Sequence, residues 1–141
     1  MQYFLTPLTV ELSAAQQQTL NEEGDLLSEL GWDFAVFGGE AIILRSGPQD
    51  LPVAEVEELF LSLLNELGGT KVGREADPKE RLWKITACRQ AVKAGARLTP
   101  EEAAALLRDL RQTTVPQTCP HGRPTMVAID KTEIEKMFKR R

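Results

Sequence analysis

The sequence is poor in cysteine, histidine and aromatic side chains: two Cys, one His and 6% aromatic residues in 141. Two Cys are too few for the disulfide framework of a small secreted domain. No stretch approaches the roughly 20 apolar residues that a membrane span requires. The opening, Met1 to Pro7, has neither the basic start nor the apolar run of a secretory leader. These absences predict a cytoplasmic chain with reduced thiols and no membrane partner. A basic excess is missing too, since 17 Lys and Arg face 21 Asp and Glu for a net charge of −4. A protein that grips DNA by its phosphates concentrates positive charge, so DNA contact is expected only indirectly or through a local basic patch. What is present, 42% hydrophobic and 27% charged residues, is an ordinary globular balance. The length fits one domain or two small subdomains.

Hydrophobic periods divide the chain. Ser13-Ala-Ala-Gln16 has the form of a capping box and predicts a helix from Ala14, with Leu20, Leu27 and Leu30 near one face and Gly31 as its stop. Trp32–Phe37, Gly38-Gly39 and Ala41–Arg45 read as a β-hairpin, because paired Gly accept the positive φ of a tight turn between aromatic and β-branched flanks. After Pro52, the residues Val56, Leu59, Phe60, Leu63, Leu64 and Leu67 follow the helical period, and Gly68-Gly69 closes the run. Residues 68–79 hold three Gly and one Pro without an apolar period, the composition of a hinge. Beyond it Leu82, Ile85, Cys88 and Val92 share a helical face. Thr99-Pro-Glu-Glu102 is a strong helix start whose apolar face is Ala103, Leu106, Leu107 and Leu110. A short strand is expected at Thr125–Ile129, then a helix capped by Asp130 with Ile134, Met137 and Phe138 turned inward. A lone strand leaves its backbone groups unpaired, so Thr125–Ile129 is expected to pair with first-half strands or with strands from elsewhere.

The sole histidine, His121, stands in Cys119-Pro-His-Gly-Arg-Pro124. A thiol and an imidazole two positions apart suit zinc, with Pro and Gly shaping a rigid turn around them. Arg123 beside them can hold a phosphate or carboxylate with two prongs. The other thiol, Cys88, lies in Ala87-Cys88-Arg89. Three soft ligands leave one tetrahedral position for a carboxylate or water, as in an open site. A packing role for Cys88 between Ile85 and Val92 is the alternative.

Taken in order, Ala87-Cys-Arg89, Cys119-Pro-His-Gly-Arg-Pro124 and Phe138-Lys-Arg140 resemble the C-terminal domain of the bacterial mismatch-repair family MutL, in its nicking-endonuclease form. The resemblance covers the whole chain. It implies an α+β fold of two small subdomains, an external regulatory helix–hairpin–helix part at 1–67 and, after the hinge at 68–79, a mainly helical portion of a dimerisation subdomain at 80–141. It also implies a metal site at Cys88, Cys119 and His121, with Arg89 and Arg123 in support. Zinc is expected there, and manganese or magnesium for nicking. Gln2-Tyr-Phe-Leu5-Thr-Pro7 fits the Gln-x-x-Leu-x-Pro pattern with which this family resembles ligands of the replicative sliding clamp. Gln2, Leu5 and Pro7 are its expected contacts, through an amide and apolar pockets. The alternative is a strand with Leu5, Leu8 and Val10 packed inside. Homodimerisation, or union with a complementary MutL segment, is the implied assembly.

One departure stands out. The family's Asp-Gln-His-Ala-x-x-Glu-x-x-x-x-Glu motif needs a histidine, and the single one here is already placed. The chain thus reads as a fragment, a truncated product or one piece of a split protein, expected to nick DNA only when another segment supplies the acidic motif. A purely structural zinc-binding interaction domain without nuclease activity is the rival reading. Arg89, Lys93, Arg97, Lys136, Lys139, Arg140 and Arg141 form either a local DNA path or a solvated face.

Overall fold

Helix α1 (Ala14–Glu29) begins where the capping box predicts: the Ser13 hydroxyl accepts from the Gln16 N–H, and the Gln16 side chain accepts from the Ser13 N–H. It ends at Leu30, and Gly31 takes φ 94° to turn the chain away, a backbone angle that strains any residue with a Cβ. In this computed structural model the described residues are 1–49, 51–69 and 77–140. They form a small mixed α+β architecture in two compact units, Met1–Val92 and Lys93–Arg141.

The first unit is built on a three-stranded antiparallel sheet of order β1-β3-β2, comprising β1 (Gln2–Glu11), β2 (Phe34–Val36) and β3 (Ala41–Gly47). Strands β2 and β3 are the expected hairpin, turned by Gly38 and Gly39 at φ 54° and 59°. Two helices, α1 and α2 (Val53–Gly68), supply most of the rest of the core. All six apolar residues that set the α2 period are buried, from Val56 to Leu67. They meet Val10, Leu20, Leu27, Leu30, Ile42 and Leu44, with Trp32 and Phe34 tilted against Phe60 at centroid distances of 5.1 and 5.9 Å. Ser46 ties the hairpin to the end of α1: its hydroxyl accepts from the Asp33 N–H at 2.7 Å and donates to the Gly31 carbonyl at 2.8 Å.

Helix α3 (Pro78–Gln90) belongs to this unit as well. The fully buried Leu82 anchors it, and ion pairs run from Lys79 to Glu29 of α1 (3.1 Å) and from Arg81 to Glu66 of α2 (3.3 Å). Most of the expected hinge, residues 70–76, lies outside the described residues, and the compact units divide after Val92. Val92 is not on the α3 face; it lies past the helix end and is half exposed.

The second unit holds α4 (Pro100–Gln112) and the short α5 (Lys131–Met137). Both start at the expected caps, Thr99 and Asp130, each in a capping box with the glutamate three residues on, Glu102 and Glu133. Their packing corrects two expectations. Ile134, Met137 and Phe138 at α5 are exposed rather than inward, and on the apolar face of α4 Leu106 and Leu107 are exposed as well. The strand expected at Thr125–Ile129 is irregular chain. Thr125 instead turns back on the preceding loop, its N–H donating to the Gln117 carbonyl at 2.9 Å and its hydroxyl to the Pro116 carbonyl. Among the described residues no strand of this unit is available to complete a ladder, and an unpaired strand does not persist.

Candidate functional site

The Cys-Pro-His-Gly-Arg-Pro run folds into a closed elbow. An isolated antiparallel bridge joins Thr118 to Pro124 at its base. Within it the Cys119 N–H donates to the Arg123 carbonyl (2.8 Å) and the Gly122 N–H to the Cys119 carbonyl (2.9 Å). Gly122 sits at φ 79°, the conformation for which glycine is suited. The half-buried Cys119 sulfur accepts from the Arg123 N–H at 3.3 Å. That backbone donor, then the one at His121, holds the thiol below its ordinary range; the Arg123 charge adds to this, and partial desolvation opposes it. A thiolate is the form that binds metal. The elbow therefore carries one thiol biased toward its thiolate, with exposed His121 and Arg123 on the same turn.

Cys88 lies on α3, half-buried, and neither cysteine is in a disulfide. It belongs to the first unit, whereas Cys119 and His121 belong to the second. Among the described residues no group of three or more His, Cys, Asp or Glu converges as a metal-ligand set. Arg89, beside Cys88, faces α2: its guanidinium meets Glu58 Oε2 and Ser62 Oγ, both at 3.5 Å.

The Gln2–Pro7 segment is the outer strand β1, with an unusual register. Gln2 and Tyr3 oppose Gly47 and Ser46, and pairing resumes with Leu8 opposite Leu44. Phe4, Leu5, Thr6 and Pro7 thus span the gap where β3 has only Arg45, and the backbone bulges. Pro7, which has no N–H to give a ladder, is at home in a bulge. Leu5 is wholly exposed at 106%, so it is not packed inside, while Val10 is buried and Leu8 half-buried. Gln2 and Pro7 are exposed as well. Three of the residues expected to touch a partner are thereby displayed on one segment.

Two features escaped the sequence reading. Phe4, an unspecified position in the docking pattern, sits over Gly47: a Cβ on Gly47 would lie 2.6 Å from the Phe4 ring and 2.7 Å from Val56 Cγ1. The glycine had no signal of its own, because its need for empty space arises from a strand distant in sequence. The second is that no residue of α4 or α5 is buried, so the apolar faces legible in the sequence lie open.

Comparison with known proteins bears on both units. Residues 1–98 match the family model described as the MutL C terminal dimerisation domain. The chain is 40% identical to the DNA mismatch repair protein MutL of Thermoanaerobacter pseudethanolicus over 134 residues, covering 95% of this chain and 22% of that protein. It is 36% identical to MutL of Symbiobacterium thermophilum over 144 residues, 99% of this chain and 23% of that protein. Against MutL of Methanoculleus marisnigri the identity is 35% over 139 residues, 99% and 24% of the two. The chain thus spans less than a quarter of the length of these curated relatives, and its alignment to them reaches past residue 98 into the elbow and α5.

Proposed function

The chain belongs to the MutL C-terminal dimerisation domain family, and from that premise we propose that it is an assembly module of DNA mismatch repair. In this reading it joins a second copy, or a complementary MutL segment, through its second unit, and docks on the replicative sliding clamp through Gln2, Leu5 and Pro7. The observation that carries the proposal is the uncovered apolar surface beyond residue 92. Leu107 is 52% exposed and Phe138 76%, together with Leu106, Val127, Ile129 and Ile134. Isolated apolar residues on a surface are unremarkable, but a unit whose helices have no fully buried residue has the composition of an interface half. Sedimentation velocity of the full chain over a concentration series tests it. Mass-dependent association that Leu107→Asp with Ile134→Asp abolishes is the expected result. A chain that stays monomeric and also ignores the complementary segment would overturn it.

Cys88, Cys119 and His121 are proposed to hold zinc, with Arg123 placed to steady a nearby phosphate. What supports this is the chemistry of the elbow: a thiol held toward its charged form and an imidazole on one rigid turn. A bound divalent ion would polarise a phosphate and lower the pKa of its bound water. Nicking is proposed only with the acidic motif supplied by another segment. The specific observation that favours the structural-zinc alternative is that the sequence's single His already stands in the elbow. Zinc content by mass spectrometry should fall in Cys119→Ser; unchanged content removes the site. Nicking of closed-circular DNA with manganese, after the acidic segment is added, separates the enzymatic reading from the structural one.

A further inference from the structure

A short docking sequence usually binds as a slack peptide and loses conformational entropy when it docks. Here the corresponding residues are already folded. Gln2 and Tyr3 are paired with β3, pairing resumes at Leu8, and the four residues between them cross opposite a single residue. Inside that bulge Phe4 is half-buried against the seat left by Gly47, with Val56 behind it. Leu5, next in sequence, is fully exposed. Anchor and displayed residue thus alternate along one held segment. Met1 adds a second fastening at the end of α1, where its side chain fills the space a Cβ on Gly31 would need, 2.7 Å away.

We infer that the docking segment engages its partner as a preformed bulge with the β1–β3 pairing intact, and that Phe4 on Gly47 is the positioning contact that sets it. This rests on the clamp-docking reading. The partner surface that fits is a pocket that takes Leu5 and Pro7 from a protruding turn, rather than a long groove that strips the strand from its sheet. Gly47 is the informative residue because it lies outside the docking pattern. A methyl there cannot displace Val56, which is fully buried, so Phe4 at the half-exposed edge must leave its seat.

The test compares the full chain with a free peptide of residues 1–8 for binding to a purified bacterial sliding clamp, by calorimetry. The chain is expected to bind at least about tenfold more tightly, since the peptide must be ordered on binding. Gly47→Ala should bring the chain to the peptide's affinity while its helical circular-dichroism signal stays. Should Gly47→Ala fail to fold, Phe4→Ala made in both chain and peptide takes its place, weakening only the chain. A peptide that binds as tightly as the chain, or a folded Gly47→Ala chain of undiminished affinity, overturns the inference. If neither chain nor peptide binds, the clamp-docking reading itself falls.

Discussion

Cys119 shows how two backbone donors set chemistry. The Arg123 and His121 backbone N–H groups favour the thiolate, so the folded pKa lies below the unfolded one. For such an acid, folding gains stability that is complete above the unfolded value and disappears as pH falls through the lower, folded value. Iodoacetamide labelling followed by mass spectrometry should accordingly reach its half-maximal rate at lower pH in the native chain than in urea. Equal midpoints would mean the elbow does not hold its turn in solution. Gly31 is the backbone counterpart. At φ 94°, with Met1 packed into the space of a side chain, Gly31→Ala should cost about 1 kcal/mol or more, read as a lower urea midpoint. The φ requirement was legible from the sequence, because a Gly after a helical run marks a C-terminal cap. The Met1 contact was not, since it depends on where β1 returns.

The helices separate what is local from what is not. Their starts were readable because capping is a matter of three or four neighbouring residues, and Ser13, Thr99 and Asp130 all cap as their sequences indicate. Burial is another matter. Periodicity tells which face of α4 is apolar, but not whether this chain contains anything to lay against it. The same spacing that makes α2 the middle of the core leaves Leu106 and Leu107 of α4 exposed and Ala103 and Leu110 only half-buried. Leu64→Ala should therefore cost about 2–5 kcal/mol in urea unfolding, while Leu107→Ala should stay within about 0.5 kcal/mol at dilution where the chain is monomeric. A large loss at Leu107 under those conditions would mean its face is covered within one chain. The Thr125–Ile129 strand failed for a related reason: β-branched residues favour a ladder only where a second strand offers one. The bulge in β1 was illegible too, because register against β3 is fixed by residues some forty positions away.

At the level of the whole molecule the boundary after Val92 divides a packed unit from one that buries none of its own helix residues. Native-state hydrogen exchange should mirror this, with amides of α1 and α2 exchanging slowly near the global limit and those of α4 and α5 rapidly. Uniform protection across both units would contradict the division. A fragment of residues 1–92 is expected to melt cooperatively at close to the temperature of the intact chain, checked by circular dichroism. Of the residues proposed for a metal, Cys119 and His121 were legible as neighbours, since two positions apart they share one turn. Cys88 rides on α3 in the other unit, a placement no spacing rule reports.

That helix is braced at three points along its length, by Lys79 to α1 and by Arg81 and Arg89 to α2. Each brace at the surface is individually weak, but Leu82 beneath them is fixed in the leucine-lined interior. Cys88 is consequently mounted on a strut and not on a tether. Whatever loads that side chain loads α1 and α2 through the same braces, so the reactivity of its sulfur and the firmness of the amino-terminal unit rise and fall together.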